Sequence, residues 1–425
     1  MLEFSHSLQG GPGSPLEAFN QVVQEWNVSC QEAHPDWQVE INVAGTTYAD
    51  PVKALELPRE QRPTFVLLPE YLKSKMEAAT QDGTALPIDT LIKPETIGDI
   101  NQIVRETFGS KNGRLECLPF NPSCAGMFAN QDVLKAIGKA PDYSPASREE
   151  LEEVAQLIFA NKDMLVKEGL LAPDFGIYTC AWPAAYLVEI PLTQQGQPLI
   201  EPTNGRLGPG RYVLKTAFPL FLQLREDVRN GVFIYGGQQL GSRELFLEKK
   251  AVFYMQGLGH GPILKSLKPT FPIQAGVVPT PKGLQGRVQA VPIGGASVWV
   301  LDSNKTQRMI EGVRAFLDYL SSREIMKKWH IDTGCVPVLK STQAELKETK
   351  IYDKHPLHRA VIAQTVEAEP GENSFGFHTP NWADARKDIF AIIERVIERE
   401  GDGSFKLTDA QVGELLAAFD HKFNS

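Results

Sequence analysis

The chain lacks any run of about 18 apolar residues, the length that a helix needs to cross a bilayer. Its opening stretch, MLEFSHSLQG, also lacks the basic segment followed by an apolar stretch that marks a signal peptide. Positive charge is scarce, because 43 Lys and Arg residues face 52 Asp and Glu residues and leave a net charge of −9. A nucleic-acid-binding protein would show a basic face. These absences predict no membrane span and no nucleic-acid partner.

Cysteine is rare and follows no recognisable pattern. The cysteines Cys30, Cys117, Cys124, Cys180 and Cys335 include no CxxC pair and no metal-like spacing with histidine. Their odd number leaves at least one thiol free even where Cys117 and Cys124 are bridged. We favour the interpretation that they are small buried apolar residues, with a disulfide as the alternative.

Common catalytic motifs are missing. The chain contains no GxxxxGK[ST], no GxSxG elbow, no HExxH and no GxGxxG after a strand. His355 and His358 have no third metal ligand beside them, so we expect no metal site. The carboxylates are scattered, and pairing two of them for glycoside hydrolysis would be arbitrary. We expect no enzyme activity and no cofactor; the alternative is a carbohydrate hydrolase, for which only Glu70 is a candidate.

The chain does contain alternating strand and helix patterns. Its 425 residues exceed one ordinary domain and suggest two or three compact units. A short apolar strand surrounds Phe4, Val39, Ile41 and Val43 alternate as in a second strand, and PTFVLLPE is typical of a buried strand that ends at Glu70. Strands separated by helices predict an α/β fold.

Helices are marked by caps and by apolar spacing. Ser14 followed by Pro15 predicts one helix start, and Thr408 opens a capping box near the end of the chain. The strongest amphipathic pattern predicts a single helix over 304–330. A further helix is predicted around Pro219, which we expect to kink it.

Small residues, prolines and isolated aromatic residues follow the strands, where open α/β sheets bind ligands. Segments of this kind are SHSLQGG, AGTTYAD, PEY, NPSCAG, YTCAWPAAY, YMQGLGHG, PIGGAS and FHTPNWAD. Glycine within a strand pattern indicates a bulge or a close approach to the backbone. We expect Gly294 and Gly295 to present their amide N–H groups to a bound solute.

Several segments resemble the extracytoplasmic solute-binding proteins of carbohydrate-type ABC importers. FLEKKAVFYMQG and AGVVPTPKG resemble segments of the family in general. FxHSxxG, PFNxS, GGASxWV and WHxxTGxxP are most similar to its glycerol-3-phosphate-binding members. The resemblance implies a type II-like periplasmic-binding-protein fold: two α/β lobes, a hinge between them and the ligand in the interlobe cleft, enclosed by hinge closure. It places one lobe at 1–118 plus about 293–338 and the other at 121–292 plus about 339–425.

The resemblance also implies ligand-binding residues. In the glycerol-3-phosphate-binding members, a tyrosine after the second strand and a glutamate after the third contact the glycerol part; they correspond to Tyr48 and Glu70. A hydroxyl residue of PFNxS corresponds to Ser123, and a backbone glycine of GGAS corresponds to Gly295. A tryptophan that can stack on a sugar face corresponds to Trp182.

The phosphate contacts of those members do not match. Gly257 stands where they have a serine, and Cys335 stands where they have a tyrosine. Their late arginine falls beside His378 and Thr379, and no arginine follows in that segment before Arg386. Phosphate is held by charge-assisted hydrogen bonds, ideally from an arginine fork, and losing each such bond costs about 1.5–3 kcal/mol. The glycerol end of the site is therefore kept and the phosphate end altered.

We expect the substrate-binding protein of an ABC importer for a neutral glycosylated glycerol, sugar or polyol. His260, His378 and Trp382 are candidates for the altered end of the site, and His6 is the candidate in the FxHSxxG opening. The alternative solutes are glycerol 3-phosphate and glycerophosphodiesters, and the alternative protein class is a cytoplasmic sugar-sensing or scaffold protein. The resemblance implies permease subunits as partners, a monomer, and a periplasmic or extracytoplasmic location without its leader, free or lipid-anchored.

Overall fold

The computed structural model describes residues 1–8, 14–45, 47, 49–109, 114–202, 210–237, 239–284, 290–376, 379 and 381–425. The chain divides into two compact units. The first unit comprises Met1–Cys124, Gly259–Leu267 and Ile293–His358, and the second comprises Ala125–Leu258, Lys268–Pro292 and Arg359–Ser425. Each unit has its own sheet flanked by helices. The α/β class predicted from the alternation of patterns is confirmed.

Strands and α-helices are interspersed along the chain. The strands are β1 Leu2–His6, β2 Val39–Val43, β3 Phe65–Pro69, β4 Ala85–Leu86, β5 Leu118–Ser123, β6 Ala125–Asn130, β7 Gly176–Cys180, β8 Ile200–Pro202, β9 Gly210–Tyr212, β10 Ala251–Gly257, β11 Ile273–Gly276 and β12 Gly294–Leu301. The α-helices are α1 Pro15–Cys30, α2 Lys73–Gln81, α3 Pro94–Asp99, α4 Gln102–Phe108, α5 Gln131–Ala136, α6 Arg148–Ala160, α7 Lys162–Lys167, α8 Ile190–Gln194, α9 Phe218–Arg229, α10 Gln239–Leu247, α11 Gly261–Ser266, α12 Gln307–Leu320, α13 Arg323–Thr333, α14 Lys340–Glu348, α15 Ile351–Lys354, α16 Pro356–Gln364, α17 Trp382–Ile397 and α18 Asp409–Asn424.

The sheet of the first unit has the order β2-β1-β3-β12-β4, and β5 also pairs with β12. β1 is parallel to β2 and β3, whereas β12 is antiparallel to β3, β4 and β5. The core of this unit includes the fully buried Phe4, Phe65 and Trp299. Phe19 of α1 packs on Phe4 with 4.7 Å between ring centroids. Burying a large apolar side chain of this kind contributes about 1.5–3 kcal/mol, which holds α1 on the sheet.

The sheet of the second unit has the order β11-β6-β10-β7, and β8 and β9 form a separate two-stranded sheet. β10 is parallel to β7 and antiparallel to β6. The carboxyl ends of β7, β10 and β11 therefore lie on one edge of this sheet, together with the amino end of β6. The residues of β6 and β7 are buried, as expected for a sheet covered on both faces.

The units differ from the expected lobe ranges in three segments; the shortest, 121–124, belongs to the first unit because β5 pairs with β12. Residues 259–267 and 339–358 belong to the first unit in the structure, although the resemblance placed them in the other lobe. The reason for both is packing on α13, which α11 and α14 contact. His358 adds a polar anchor, because its Nε2 lies 3.0 Å from the carbonyl oxygen of His330 in that helix.

Helix ends follow the cap signals. Ser14 Oγ accepts the N–H of Glu17 at 3.2 Å, and Thr408 forms the expected capping box with Gln411. Pro219 lies in the first turn of α9, where a missing N–H costs nothing, and not in the helix interior as expected for a kink. Within the described ranges, no helix is long and apolar enough to span a bilayer.

The helix predicted over 304–330 is two helices, α12 and α13. Ser321 and Ser322 separate them, and Ser322 Oγ accepts the N–H of Ile325 as the N-cap of α13. A serine side chain competes for backbone hydrogen bonds and favours caps over helix interiors. The apolar spacing continues across the break, which is why the pattern predicted a single helix.

All the cysteines are buried and carry free thiols, which confirms the favoured interpretation. Cys117 Sγ donates to the carbonyl of Phe108 at 3.4 Å, and Cys335 Sγ donates to Asn121 Oδ1 at 3.0 Å. Burial raises the pKa of Cys335 to about 11 and that of Cys117 to about 12, so both are neutral near pH 7.

Candidate functional site

One edge of the first-unit sheet gathers several of the predicted ligand-binding residues. His6 ends β1, Glu70 directly follows β3, and Ser123 ends β5. Gly294 begins β12 and pairs with Ser123, while Ala296 pairs with Pro69. Because β12 is antiparallel to β3 and β5, its amino end lies where those strands end. We call these residues, with Gly295, the first-unit edge.

Gly294 and Glu70 lie next to each other on the first-unit edge. A methyl group at Gly294 would lie 3.6 Å from Glu70 Oε1, an ordinary van der Waals distance. The Glu70 side chain is partly exposed. A carboxylate in this position can accept hydrogen bonds from hydroxyl groups.

The backbone conformation of Gly295 and the closeness of β5 explain why this residue is a glycine. Its φ is +100°, and a methyl group there would lie 2.1 Å from the Asn121 carbonyl oxygen and 2.6 Å from the Ser123 nitrogen. The β5–β12 register also shifts between Ala296 and Ser297. The expected bulge and close approach are both present, but the approaching backbone is that of β5. A hydrogen bond from this turn to a solute stays a prediction.

His6 is fully buried at the end of β1. Its Nδ1 accepts the N–H of Leu8 at 3.0 Å, which places the ring hydrogen on Nε2. The ring lies edge-on to Phe19, and burial lowers the pKa of His6 to about 4. His6 therefore holds the chain that leaves β1 and is neutral near pH 7.

Lys73, three residues beyond Glu70, points into the protein. Its side chain is 4% exposed, and Nζ donates to the carbonyls of Thr107, at 3.1 Å, and Gly109. Glu77 Oε1 lies 4.0 Å from the same nitrogen. The positive charge nearest to Glu70 in the sequence is thus bound inside the first unit.

An edge of the second-unit sheet holds two more predicted residues. Trp182 follows β7 and Gly257 ends the parallel neighbour β10. The N–H of Ala181 donates to the Met255 carbonyl at 3.0 Å, which keeps the two strand ends side by side. The Trp182 side chain is 44% exposed, which is unusual for so large an apolar ring. We call these residues the second-unit edge.

A π-helix over Ala185–Glu189 follows Trp182. The Tyr186 N–H donates to the Trp182 carbonyl at 2.9 Å. Glu189 is buried, and Arg386 Nε donates to its Oε1 at 2.8 Å. Burial raises the pKa of Glu189, and the Arg386 guanidinium opposes that rise. Arg386, the first arginine after the altered segment, is therefore engaged in an ion pair inside the second unit.

Two further predicted residues, His260 and Trp382, are buried. His260 lies in the first unit, 7% exposed, just before α11. Trp382 begins α17, is 3% exposed and stacks on Tyr212 with 6.5 Å between centroids, as a core residue does. Tyr48 and His378 lie outside the described residues. Roles in solute binding for all four stay predictions.

Metal ligands are not clustered in the part of the chain that the structure describes, where no group of three or more His, Cys, Asp or Glu residues is placed to hold an ion. His358 Nε2 instead faces the carbonyl oxygens of His330 and Ile331, at 3.0 and 3.1 Å. These contacts make His358 part of the packing between α13 and α16.

Sequence reasoning missed Gln256, which is buried in β10 beside Gly257. It bonds to Tyr186 and Tyr254 as well as to the Gly257 backbone. The available signal was a polar amide in the otherwise apolar run AVFYMQG. A buried amide needs partners, and these partners come from segments that the sequence does not place together.

Comparison with known proteins gives consistent matches. Residues 25–360 match the family described as "Bacterial extracellular solute-binding protein". The chain is 27% identical over 292 residues to the sn-glycerol-3-phosphate-binding periplasmic protein UgpB of Yersinia enterocolitica, covering 68% of this chain and 63% of that protein. The chain thus spans less than two thirds of that relative's length. The protein of the same name from Rhizobium meliloti is 25% identical over 420 residues, covering 96% of this chain and 91% of the relative.

Solved structures share the fold. UgpB from Mycobacterium tuberculosis, in complex with glycerophosphocholine, matches with a TM-score of 0.74 and 15% identity over 99% of this chain and 97% of that one. The Thermus thermophilus maltotriose-binding protein, bound with maltotriose, matches with a TM-score of 0.70 and 15% identity over 99% of both chains. The predicted two-lobe periplasmic-binding-protein fold is confirmed by these likenesses.

Proposed function

The chain belongs to the bacterial extracellular solute-binding proteins, and we propose that it is the substrate-binding protein of an ABC importer. Its solute is small, neutral and polyhydroxylated: a glycosylated glycerol, a sugar or a polyol. The protein captures this solute outside the cytoplasmic membrane and leaves it chemically unchanged. As a monomer, and without a metal or cofactor, it then delivers the solute to the permease subunits of the importer.

The observation that carries this proposal is the charge of the first-unit edge. Glu70 supplies a carboxylate there, and His6 is held neutral by burial. A carboxylate accepts hydrogen bonds from hydroxyl groups. Ser123 adds a hydroxyl group that both donates and accepts. Such an edge suits the hydroxyl groups of a neutral solute.

Two cations close to the candidate residues in the sequence are engaged inside their own units. Lys73 donates to the Thr107 and Gly109 carbonyls, and Arg386 is paired with Glu189. Cys335, where the resembled members have a tyrosine, donates its thiol hydrogen to Asn121. Breaking the Arg386–Glu189 pair would leave a buried carboxylate uncompensated, which is strongly destabilising. These arrangements favour a solute without a phosphate.

The exposed indole of Trp182 supports a solute with a ring or carbon chain. Ligand sites combine apolar and aromatic surfaces with a few placed polar groups. Trp182 offers such a surface on the second-unit edge, and Glu70 offers the polar group on the first.

The second candidate solute class is glycerol 3-phosphate and the glycerophosphodiesters. The names of the Yersinia and Rhizobium relatives favour it, and the Rhizobium alignment covers 91% of that relative. A phosphodiester places its charge between two larger groups, so its glycerol end has the same hydroxyl groups as a neutral glycoside. A phosphodiester and a neutral glycoside therefore make the same demands on Glu70 and different demands on cations.

A thermal-unfolding screen tests the proposal. A solute that binds the folded protein stabilises it by about 2.7 kcal/mol at a hundred times its Kd, which is a midpoint rise of several degrees. We expect this rise with at least one neutral sugar, polyol or glucosylglycerol and a smaller one with glycerol 3-phosphate at the same concentration. No rise with any neutral solute, together with a clear rise with glycerol 3-phosphate, would establish the second candidate.

A further inference from the structure

A buried hydrogen-bond network surrounds Gln256 in the second unit. Gln256 is 3% exposed, and its Nε2 donates to the Tyr254 hydroxyl at 3.1 Å. Its Oε1 accepts the Gly257 N–H at 2.8 Å and the Tyr186 hydroxyl at 3.3 Å. A backbone N–H can only donate, so the atom facing Gly257 is the amide oxygen. The orientation of the Gln256 amide is therefore determined by its partners.

This network joins two segments that meet at the second-unit edge. Tyr254 and Gly257 belong to β10, and Tyr186 belongs to the π-helix that follows Trp182. Tyr186 also donates its backbone N–H to the Trp182 carbonyl, at 2.9 Å. Two steps, from Gln256 to Tyr186 and from Tyr186 to Trp182, thus connect a buried amide to an exposed indole.

The connection from Gln256 to Trp182 runs through the π-helix. In it, the N–H of Ile190 reaches the carbonyl of Ala185, five residues earlier. Widened turns of this kind are rare, have poorer backbone geometry than an α-helix and occur often at functional sites. The side-chain hydrogen bond that the Tyr186 hydroxyl donates to Gln256 supplies stabilisation that such a turn does not obtain from its own backbone.

We propose that Gln256 is a positioning residue for solute binding, an inference that rests on the proposed function. Gln256 fixes the π-helix through Tyr186 and the end of β10 through Gly257, and the Trp182 segment is held between them. It acts through Trp182 and does not touch the solute. A fully satisfied polar network rigidifies what it joins, and rigid placement lowers the ordering cost of binding.

Affinity measurements on matched variants test the inference. Gln256→Met keeps the length of the side chain and removes its donors and acceptor, and Tyr186→Phe removes one hydroxyl. We expect each to weaken binding of the wild-type protein's best solute about tenfold in calorimetry. The double variant should bind no more weakly than Gln256→Met alone, because both changes remove the same connection.

Tyr178→Phe is the matched control. It also removes a buried tyrosine hydroxyl of the second unit, one that donates to Asp227 Oδ2 at 2.8 Å in a separate network. We expect this control to lower the thermal midpoint and to leave affinity within about twofold of wild type. If Tyr178→Phe weakens binding as much as Gln256→Met does, the effect is general destabilisation and the inference is wrong.

A readout without solute separates this inference from the proposed function. Acrylamide quenching of Trp182, taken as the difference between each protein and its Trp182→Phe derivative, reports how firmly the indole is held. We expect Gln256→Met to increase that quenching and Tyr178→Phe to leave it unchanged. Unchanged quenching in Gln256→Met would overturn the inference even where a solute binds. A wild-type protein that binds no neutral solute would overturn the proposed function, while quenching would still decide the role of Gln256.

Discussion

Gly294 lies against the carboxylate of Glu70, with Oε1 3.6 Å from the position that a methyl group on Gly294 would occupy. The next residue, Gly295, lies against the Asn121 carbonyl oxygen, which is only 2.1 Å from the corresponding position. Gly294 thus faces the candidate solute-binding carboxylate, whereas Gly295 allows two strands to approach. Of these two adjacent glycines, Gly294 lies beside a candidate binding residue, and Gly295 is required for strand packing.

Alanine at each glycine should have different effects on stability. Gly295→Ala places a side chain at φ +100° and against the backbone of β5, and we expect it to lower the free energy of unfolding by about 2–4 kcal/mol. Gly294→Ala meets only van der Waals contact, and we expect a loss below about 1 kcal/mol. Urea denaturation followed by circular dichroism measures both. Equal losses would contradict the assignment of Gly295 to strand packing.

Removing the Glu70 charge should have opposite effects on the binding of a neutral solute and on the binding of glycerol 3-phosphate. Glu70→Gln keeps the shape and turns a charged hydrogen bond into a neutral one, so we expect about tenfold weaker binding of a neutral polyhydroxylated solute. The same change removes a like charge and should strengthen any binding of glycerol 3-phosphate. Calorimetric titration measures both. Glu60→Gln, at an exposed carboxylate of the same unit, is the control and should change neither affinity. A parallel loss for both solutes would show that the Glu70 charge does not discriminate.

The stability of the folded protein should fall as the pH falls below the pKa of an ordinary histidine. Burial holds the pKa of His6 at about 4, and burial with the neighbouring His358 holds that of His330 at about 3, below the usual 6.5. The unfolded chain therefore binds protons that the folded protein does not, and stability present above about pH 6.5 is lost towards pH 4 and 3. Urea midpoints measured at about pH 7.5 and about pH 5 should show the fall.

His330→Asn tests the source of that pH dependence. Asparagine retains a donor for the Cys335 carbonyl, which His330 Nδ1 meets at 2.5 Å, but it does not titrate. We expect the fall in the urea midpoint between neutral and acidic pH to be smaller in this variant. A fall of the same size would assign the pH dependence to other groups.

The buried cysteines should be protected from thiol-labelling reagents and should form no disulfide bonds. Their burial and raised pKa values suppress the thiolate that reacts with labelling reagents. We expect negligible labelling of the folded protein, labelling of all five thiols in denaturant, and the same thermal midpoint with and without a reducing agent. A Cys117–Cys124 peptide pair in a non-reducing digest would contradict the structure.

Local signals in the sequence predicted a large part of the fold. The Ser14 cap, the Thr408 capping box and the strand ending before Glu70 depend on neighbouring residues, and they formed as expected. The break at Ser321–Ser322 was missed because apolar spacing continues across it. The assignment of 259–267 to the first unit depends on packing against α13, a contact far away in the sequence.

The candidate site was predicted only in part, for a similar reason. Glu70, Ser123 and Gly294 were all candidates from the sequence, and the antiparallel pairing of β12 with β3 and β5 brings them to one edge. The cause of the Gly295 conformation was not foreseeable, since it is the carbonyl of another strand. Gln256 was not predicted, because its hydrogen-bond partner Tyr186 becomes a neighbour only when β10 and the π-helix pack together.

The central claim is that this protein binds a neutral polyhydroxylated solute and discriminates against free phosphomonoesters. Isothermal titration calorimetry at neutral pH, with glucosylglycerol, common sugars and polyols compared with glycerol 3-phosphate, tests it most directly. We predict that the best neutral solute binds at least about tenfold more tightly than glycerol 3-phosphate, a difference of about 1.4 kcal/mol or more. Glycerol 3-phosphate as the tightest ligand of that series would contradict the account.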